Sequence, residues 1–126
     1  MMRFIKRVLC AEKIRKADLC IVCADRRFVR QLNRRFSAKD ADTDVLSFDL
    51  SQGEFKSGYL TGDVVVSVDR AVSVASLLHL PFKEEICRYV LHGILHLAGY
   101  DDLTAGKKKK MWKRQEYLLK RYLRIK

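Results

Sequence analysis

A chain of 126 residues with 48% hydrophobic content is long enough to bury a core as one domain, residues 1–126, without disulfide support, and its single proline and six scattered glycines leave no tether. Charge interrupts the apolar residues from the start, Met1-Met2-Arg3-Phe4-Ile5-Lys6-Arg7-Val8, which excludes a signal-peptide core and a membrane span and makes the cytoplasm the expected compartment. The net charge of +11 is uneven. Residues 107–126 hold ten Lys/Arg against one acid, Glu116, and a field of that kind attracts phosphate backbones with an affinity that falls as salt rises.

In chain order, Phe4, Ile5, Val8, Leu9 and Ile14 recur at helical spacing among basic residues, which predicts an amphipathic helix over residues 2–16. Residues 18–24 form an apolar run suited to a buried strand. It contains Cys20 and Cys23, whose Cys-x-x-Cys spacing lacks the turn that a redox pair or zinc knuckle needs. Asp25 is placed to cap the next helix, with Phe28, Val29, Leu32 and Phe36 inward and Arg26, Arg27, Arg30, Arg34 and Arg35 outward. A polar loop over 37–43 leads to a strand over 44–50, and valine-rich residues 59–68, with Gly62-Asp63, read as another. Asp69 is placed to cap a helix from Arg70 to about Leu80, ended by Pro81, with His79 near its end as a surface residue.

The next helix, residues 82–98, opens on Lys83-Glu84-Glu85, acids that suit the positive end of the helix dipole. It carries His92 and His96, four residues apart and therefore on one face, where both imidazoles can reach one ion. Gly99 follows three residues later, where a helix commonly ends in a left-handed residue. The turn brings back Asp101 or Asp102, and Asp102 completes a His-x3-His-x5-Asp spacing that leaves a fourth metal position for water. The zincin motif has a glutamate after its first histidine, whereas this chain has Gly93, which argues against a peptidase and predicts close approach to the metal. Thr104 caps a last helix whose stripe of Met111, Leu118, Leu119, Tyr122, Leu123 and Ile125 docks beneath the basic surface. The expected fold class is α+β: a small mixed sheet flanked by about five helices, with a metal site at the end of a long helix.

Four strings stand in order: Leu32-Asn33-Arg34-Arg35-Phe36 leading to Lys39-Asp40; Thr43-Asp44-Val45-Leu46-Ser47-Phe48; Gly62-Asp63-Val64; and His92-Gly93-Ile94-Leu95-His96-Leu97-Ala98-Gly99-Tyr100-Asp101. Together, over most of the chain, they resemble the YbeY family. The resemblance implies a metal-dependent, single-strand-specific endoribonuclease that acts in ribosomal RNA maturation, including the 16S 3′ end, and in ribosome quality control. It also implies zinc held by three histidines, the third of which falls on Asp102 here. Aspartate is a competent zinc ligand, so the expected set is His92, His96 and Asp102 around one zinc ion.

Asp101 and Asp63 are the expected carboxylates behind the ligands. Arg34, Arg35 and Lys39 are the expected RNA contacts, since Ser37 stands where the family typically has an arginine. Asp49 replaces the proline usual after the Leu-Ser-Phe string, and the short start of the chain is expected to lack the family's first strand. Expected partners are single-stranded RNA, ribosomal RNA, and the small ribosomal subunit or its proteins, with no membrane and no organic cofactor. The competing class is a catalytically weak or inactive ribosome-assembly factor that binds RNA or protein, a reading that Ser37 and Asp102 favour.

Overall fold

The computed structural model describes residues 1–37, 43–51 and 58–123, Ser37 by its backbone alone. Lys39, most of the loop expected over 37–43 and Ile125 lie outside the described residues. The elements run α1 (Met2–Ala11), β1 (Lys16–Ala24), α2 (Arg26–Ser37), β2 (Val45–Asp49), β3 (Tyr59–Ser67), α3 (Val68–Leu78), α4 (Phe82–Leu97) and α5 (Ala105–Tyr122). The strands form one mixed sheet in the order β1-β3-β2, with β1 parallel and β2 antiparallel to β3. This is the expected α+β domain of five helices and a small sheet.

Burial in the sheet follows strand position. Central β3 is the valine-rich segment, and Leu60, Val64 and Val66 on it are almost wholly buried. The apolar run of β1 predicts a buried strand, but α2 packs against β3 and β2, so β1 is covered chiefly on its core face. Its residues therefore alternate, with Asp18 and Cys20 exposed and Leu19 and Ile21 packed on the core. Cys20 and Cys23 are both free thiols.

Helix α4 crosses the face of the sheet made by the even-numbered residues of β3. A Cβ on Gly93 would come within 2.5 Å of Val64 Cγ1 and 3.0 Å of Ser47 Oγ. A Cβ on Gly62 would come within 2.8 Å of Leu97. Both glycines let helix and sheet backbones approach, and Ser47 Oγ–H fixes the contact by donating to the Gly93 carbonyl at 2.9 Å. Gly93 thus admits the sheet, correcting the expectation that it makes room at the metal. The core beneath α4 is closed by Phe4, Ile5 and Val8 of α1 and by Met111, Leu118 and Leu119 of α5.

Helix α2 lies on the opposite face. Asp25 caps it, its Oδ1 accepting from Phe28 N–H at 2.8 Å, and Val29 and Asn33 are buried. Phe28 and Phe36, expected inward, are 46% and 61% exposed, because among the described residues α2 covers this face alone, with no second layer over its flanks. Helix α1 ends at Ala11, before the expected residue 16, and Lys13 takes a left-handed φ of 60° that turns the chain into β1. Ser67, two residues earlier than the expected Asp69, caps α3 by accepting from Arg70 N–H. Asp69 instead accepts from Arg26 N–H at 2.7 Å, joining α3 to the start of α2. His79 is an exposed helix end in the left-handed region.

Candidate metal centre

Helix α4 is apolar nearly all round, and ten of its residues, from Glu85 to Leu97, are buried. That embedding holds His92 and His96 at one edge of the core. Their rings meet edge to face, with the two Nε2 atoms 3.1 Å apart. The helix then ends in a Schellman motif: Tyr100 N–H donates to the Leu95 carbonyl, Gly99 N–H donates to the His96 carbonyl, and Gly99 takes a φ of 104°. The reversal returns the chain past the histidines and leaves Asp102 Oδ2 4.0 Å from His96 Nε2. One donor atom from each of His92, His96 and Asp102 lies within 4.8 Å of the others.

The donor chemistry fits a cation. Arms of roughly 2 Å at tetrahedral angles put donor atoms roughly 3.3 Å apart, close to the histidine separation, and an exposed aspartate has little distance to close. Burial, then the neighbouring His92, holds the His96 imidazole below its ordinary pKa, outweighing the nearby carboxylates of Asp102 and Asp101 and a hydrogen bond with the Tyr100 backbone. A neutral imidazole is the ligating form.

The tautomer of His92 is set from α5. Gln115, buried on that helix, donates its amide to Glu116 Oε2 at 3.1 Å, so Gln115 Oε1 faces His92 Nδ1 at 2.7 Å and accepts its proton. The lone pair of His92 is therefore on Nε2, beside His96. Glu116 is itself held by Arg88 of α4, whose Nε and one terminal nitrogen donate to its two oxygens, both at 3.0 Å. Arg88 also pairs with Glu84 and Glu85. A polar chain, Arg88-Glu116-Gln115-His92, thus ties α5 to α4 at the site. Gln115 is absent from the sequence reading, because contact between positions 23 apart depends on how two helices dock.

Other expected site residues are placed differently. Asp101 Oδ1 accepts from Leu103 N–H at 3.1 Å and its Oδ2 meets Lys107 Nζ at 3.5 Å, so it fixes the turn into α5. Those contacts, the Leu103 N–H first, hold its carboxyl below the usual carboxylate range. Strand alternation puts Gly62 and Val64 toward α4 and Asp63, expected behind the ligands, on the α2 face. Arg34 and Arg35 are exposed in the last turn of α2, Arg35 lying over the Phe36 ring at 5.5 Å. Phe36 in turn meets Phe48 of β2 edge to face at 5.4 Å, so this basic end adjoins the strand that carries Ser47.

The histidines, Asp102 and Gln115 line a cavity of about 460 Å³ that continues along Thr43 to Ser47 and past Glu85, Arg88 and Tyr89. The fold and this wall define a class: a small α+β protein with a His-His-Asp group that could hold a metal ion, open to a cleft beside a sheet edge. A model of the Endoribonuclease YbeY family matches residues 1–123, and the chain belongs to that family of endoribonucleases. Among relatives named Endoribonuclease YbeY, that of Treponema pallidum is 34% identical over 127 residues, covering 97% of this chain and 79% of the relative. The Salinibacter ruber protein is 39% identical, covering 90% and 76%. The Persephonella marina protein is 39% identical over 98 residues, and the match spans 64% of its length. A solution structure from Thermotoga maritima superposes with a TM-score of 0.67 at 27% identity, covering 94% of this chain and 76% of that one. Among the described residues no helix is long and apolar enough to cross a membrane.

Proposed function

We propose that this protein is a zinc-dependent, single-strand-specific endoribonuclease of the cytoplasm. Its substrate is ribosomal RNA, the 3′ end of the 16S molecule included, in ribosome maturation and quality control, and its partners are the small ribosomal subunit or its proteins. The observation that carries the reading is the convergence of His92, His96 and Asp102 on one point of the cleft wall, in a chain of this family.

His92, His96 and Asp102 would hold a zinc ion there, which would supply Lewis acidity for activating water and polarising a phosphoryl oxygen. His92 and His96 offer neutral imidazole nitrogens, and Gln115 keeps the His92 ring turned and its Nδ1 protonated. Asp102 in place of a third histidine lowers the net charge of the site, which makes that water less acidic and lets harder cations compete better. Arg34 and Arg35 hold phosphates outside the cleft, as sequence-independent contacts do, and Lys39 adds a further cation for the same role. A non-catalytic assembly factor is not favoured, since the family that the chain belongs to is one of endoribonucleases.

The test is cleavage of a single-stranded RNA with zinc present, beside the same sequence in a duplex and beside the His96→Ala variant. Cleavage of the single strand alone, lost in His96→Ala while RNA binding persists, is the expected result. Cleavage unchanged in His96→Ala would overturn the reading.

A further inference from the structure

The basic charge of α5 is not spread evenly around the helix. At 100° per residue, Lys109, Lys113, Lys120 and Tyr117 fall within one sector opposite the buried Met111 and Leu118, and Trp112 stands at its edge, next to the buried Leu119 and Gln115. All five side chains are exposed, Trp112 by 60% and Tyr117 by 52%. Among the described residues none of the three lysines has an acidic partner, whereas Lys107, Arg114 and Arg88 nearby are each paired.

Two large aromatic side chains left in water on a helix that has a core to dock into are unusual, and the pattern around them is specific. Lys109 and Lys113 flank Trp112 at spacings of three and one, and Arg114 lies over the Tyr117 ring at 5.3 Å. Arg114 is anchored at 2.6 Å by Glu12, the residue just past α1, so that contact supports the Tyr117 ring. Flat rings interleaved with unpaired cations match a chain that alternates π faces with phosphates. Single-stranded nucleic acid has that chemistry; a duplex hides its base faces, and an acidic peptide offers no rings to stack. Trp112 also stands one turn before Gln115, so the platform adjoins the residue that orients His92.

We propose that this face of α5 is a stacking platform for single-stranded RNA. An unpaired base lies on the Trp112 indole, and the flanking phosphates lie on Lys109, Lys113 and Lys120. The inference deepens the nuclease reading by naming where the strand is held outside the cleft.

Trp112 is the only tryptophan of the chain, so its emission reports the contact directly. With the full chain in chelator, so that no RNA is cut, a short single-stranded RNA is expected to quench Trp112 emission, while the same sequence in a duplex is not. Trp112→Ala is expected to weaken single-strand binding roughly 5- to 150-fold at an unchanged salt slope, and Trp112→Tyr to restore part of it. Lys109→Gln with Lys113→Gln should instead lower the slope by roughly 0.7 per lysine. RNA binding without quenching, equal quenching by duplex, or full affinity in Trp112→Ala would overturn the platform, as would quenching by a ribosomal protein and not by RNA. Cleavage by the zinc-loaded wild type is followed separately. Quenching without cleavage sinks the nuclease reading alone, and cleavage without quenching sinks the platform alone.

Discussion

Gln115 on α5 accepts a hydrogen bond from His92 Nδ1 on α4 at 2.7 Å, and this contact decides which nitrogen of His92 faces His96. Gln115→Leu keeps the volume and removes the acceptor, freeing the ring to turn and to change tautomer. Loss of such a partner typically lowers metal affinity 10- to 100-fold. Zinc competition titrations should show a loss of about that size in Gln115→Leu and a much smaller one in Gln115→Glu. Unchanged affinity in Gln115→Leu would show that the ring is held by other contacts.

Gly93 is where α4 meets the sheet. Alanine gains about 0.5 to 1 kcal/mol of helix propensity there, but its Cβ would sit 2.5 Å from Val64 Cγ1, and overpacking of this kind costs about 1 to 3 kcal/mol. Gly93→Ala should therefore be destabilised in urea unfolding, and Val64→Ala in the same chain should recover part of the loss. A more stable Gly93→Ala would mean that helix and sheet slide apart freely.

The Arg88-Glu116 pair predicts a pH dependence. Burial pushes the Glu116 carboxyl up, but hydrogen bonds from Arg88 and Gln115, with the Arg88 charge, together leave it below its ordinary value of 4.5. A carboxyl with a depressed folded-state pKa contributes stability that is fully present above the unfolded value. It is lost as pH falls through the folded value. Wild type should therefore lose more stability than Glu116→Gln between pH 6 and about pH 3, read as the difference of their urea midpoints. Parallel pH profiles would contradict the pairing.

The local features were legible in the sequence because each depends on a few neighbours. The His92 and His96 spacing, the Gly99 reversal, the Asp25 and Thr104 caps and the apolar stripe of α5 all rest on helix geometry within about a turn or two. What escaped depends on docking. Phe28 and Phe36 have the spacing of an inner face, yet among the described residues no second layer covers them. Gly93 reads as room for a metal until the sheet is seen beneath it. Asp63 is a conspicuous acid beside Gly62, but alternation along β3 turns it to the other face. Gln115 carries no signal of its own on a helix full of polar residues. Family resemblance reached the fold and the activity class by another route, through four strings in order rather than through contacts.

The central claim is that His92, His96 and Asp102 hold the metal that the nuclease needs. Elemental analysis of the purified protein beside Asp102→Ala and Asp102→His, with single-stranded RNA cleavage assayed on each sample, tests it most directly. About one zinc per wild-type chain, lost with cleavage in Asp102→Ala and kept in Asp102→His, is the predicted result. Wild type without metal or cleavage, beside an Asp102→His variant that gains both, would contradict it and leave a binding factor with a decayed site.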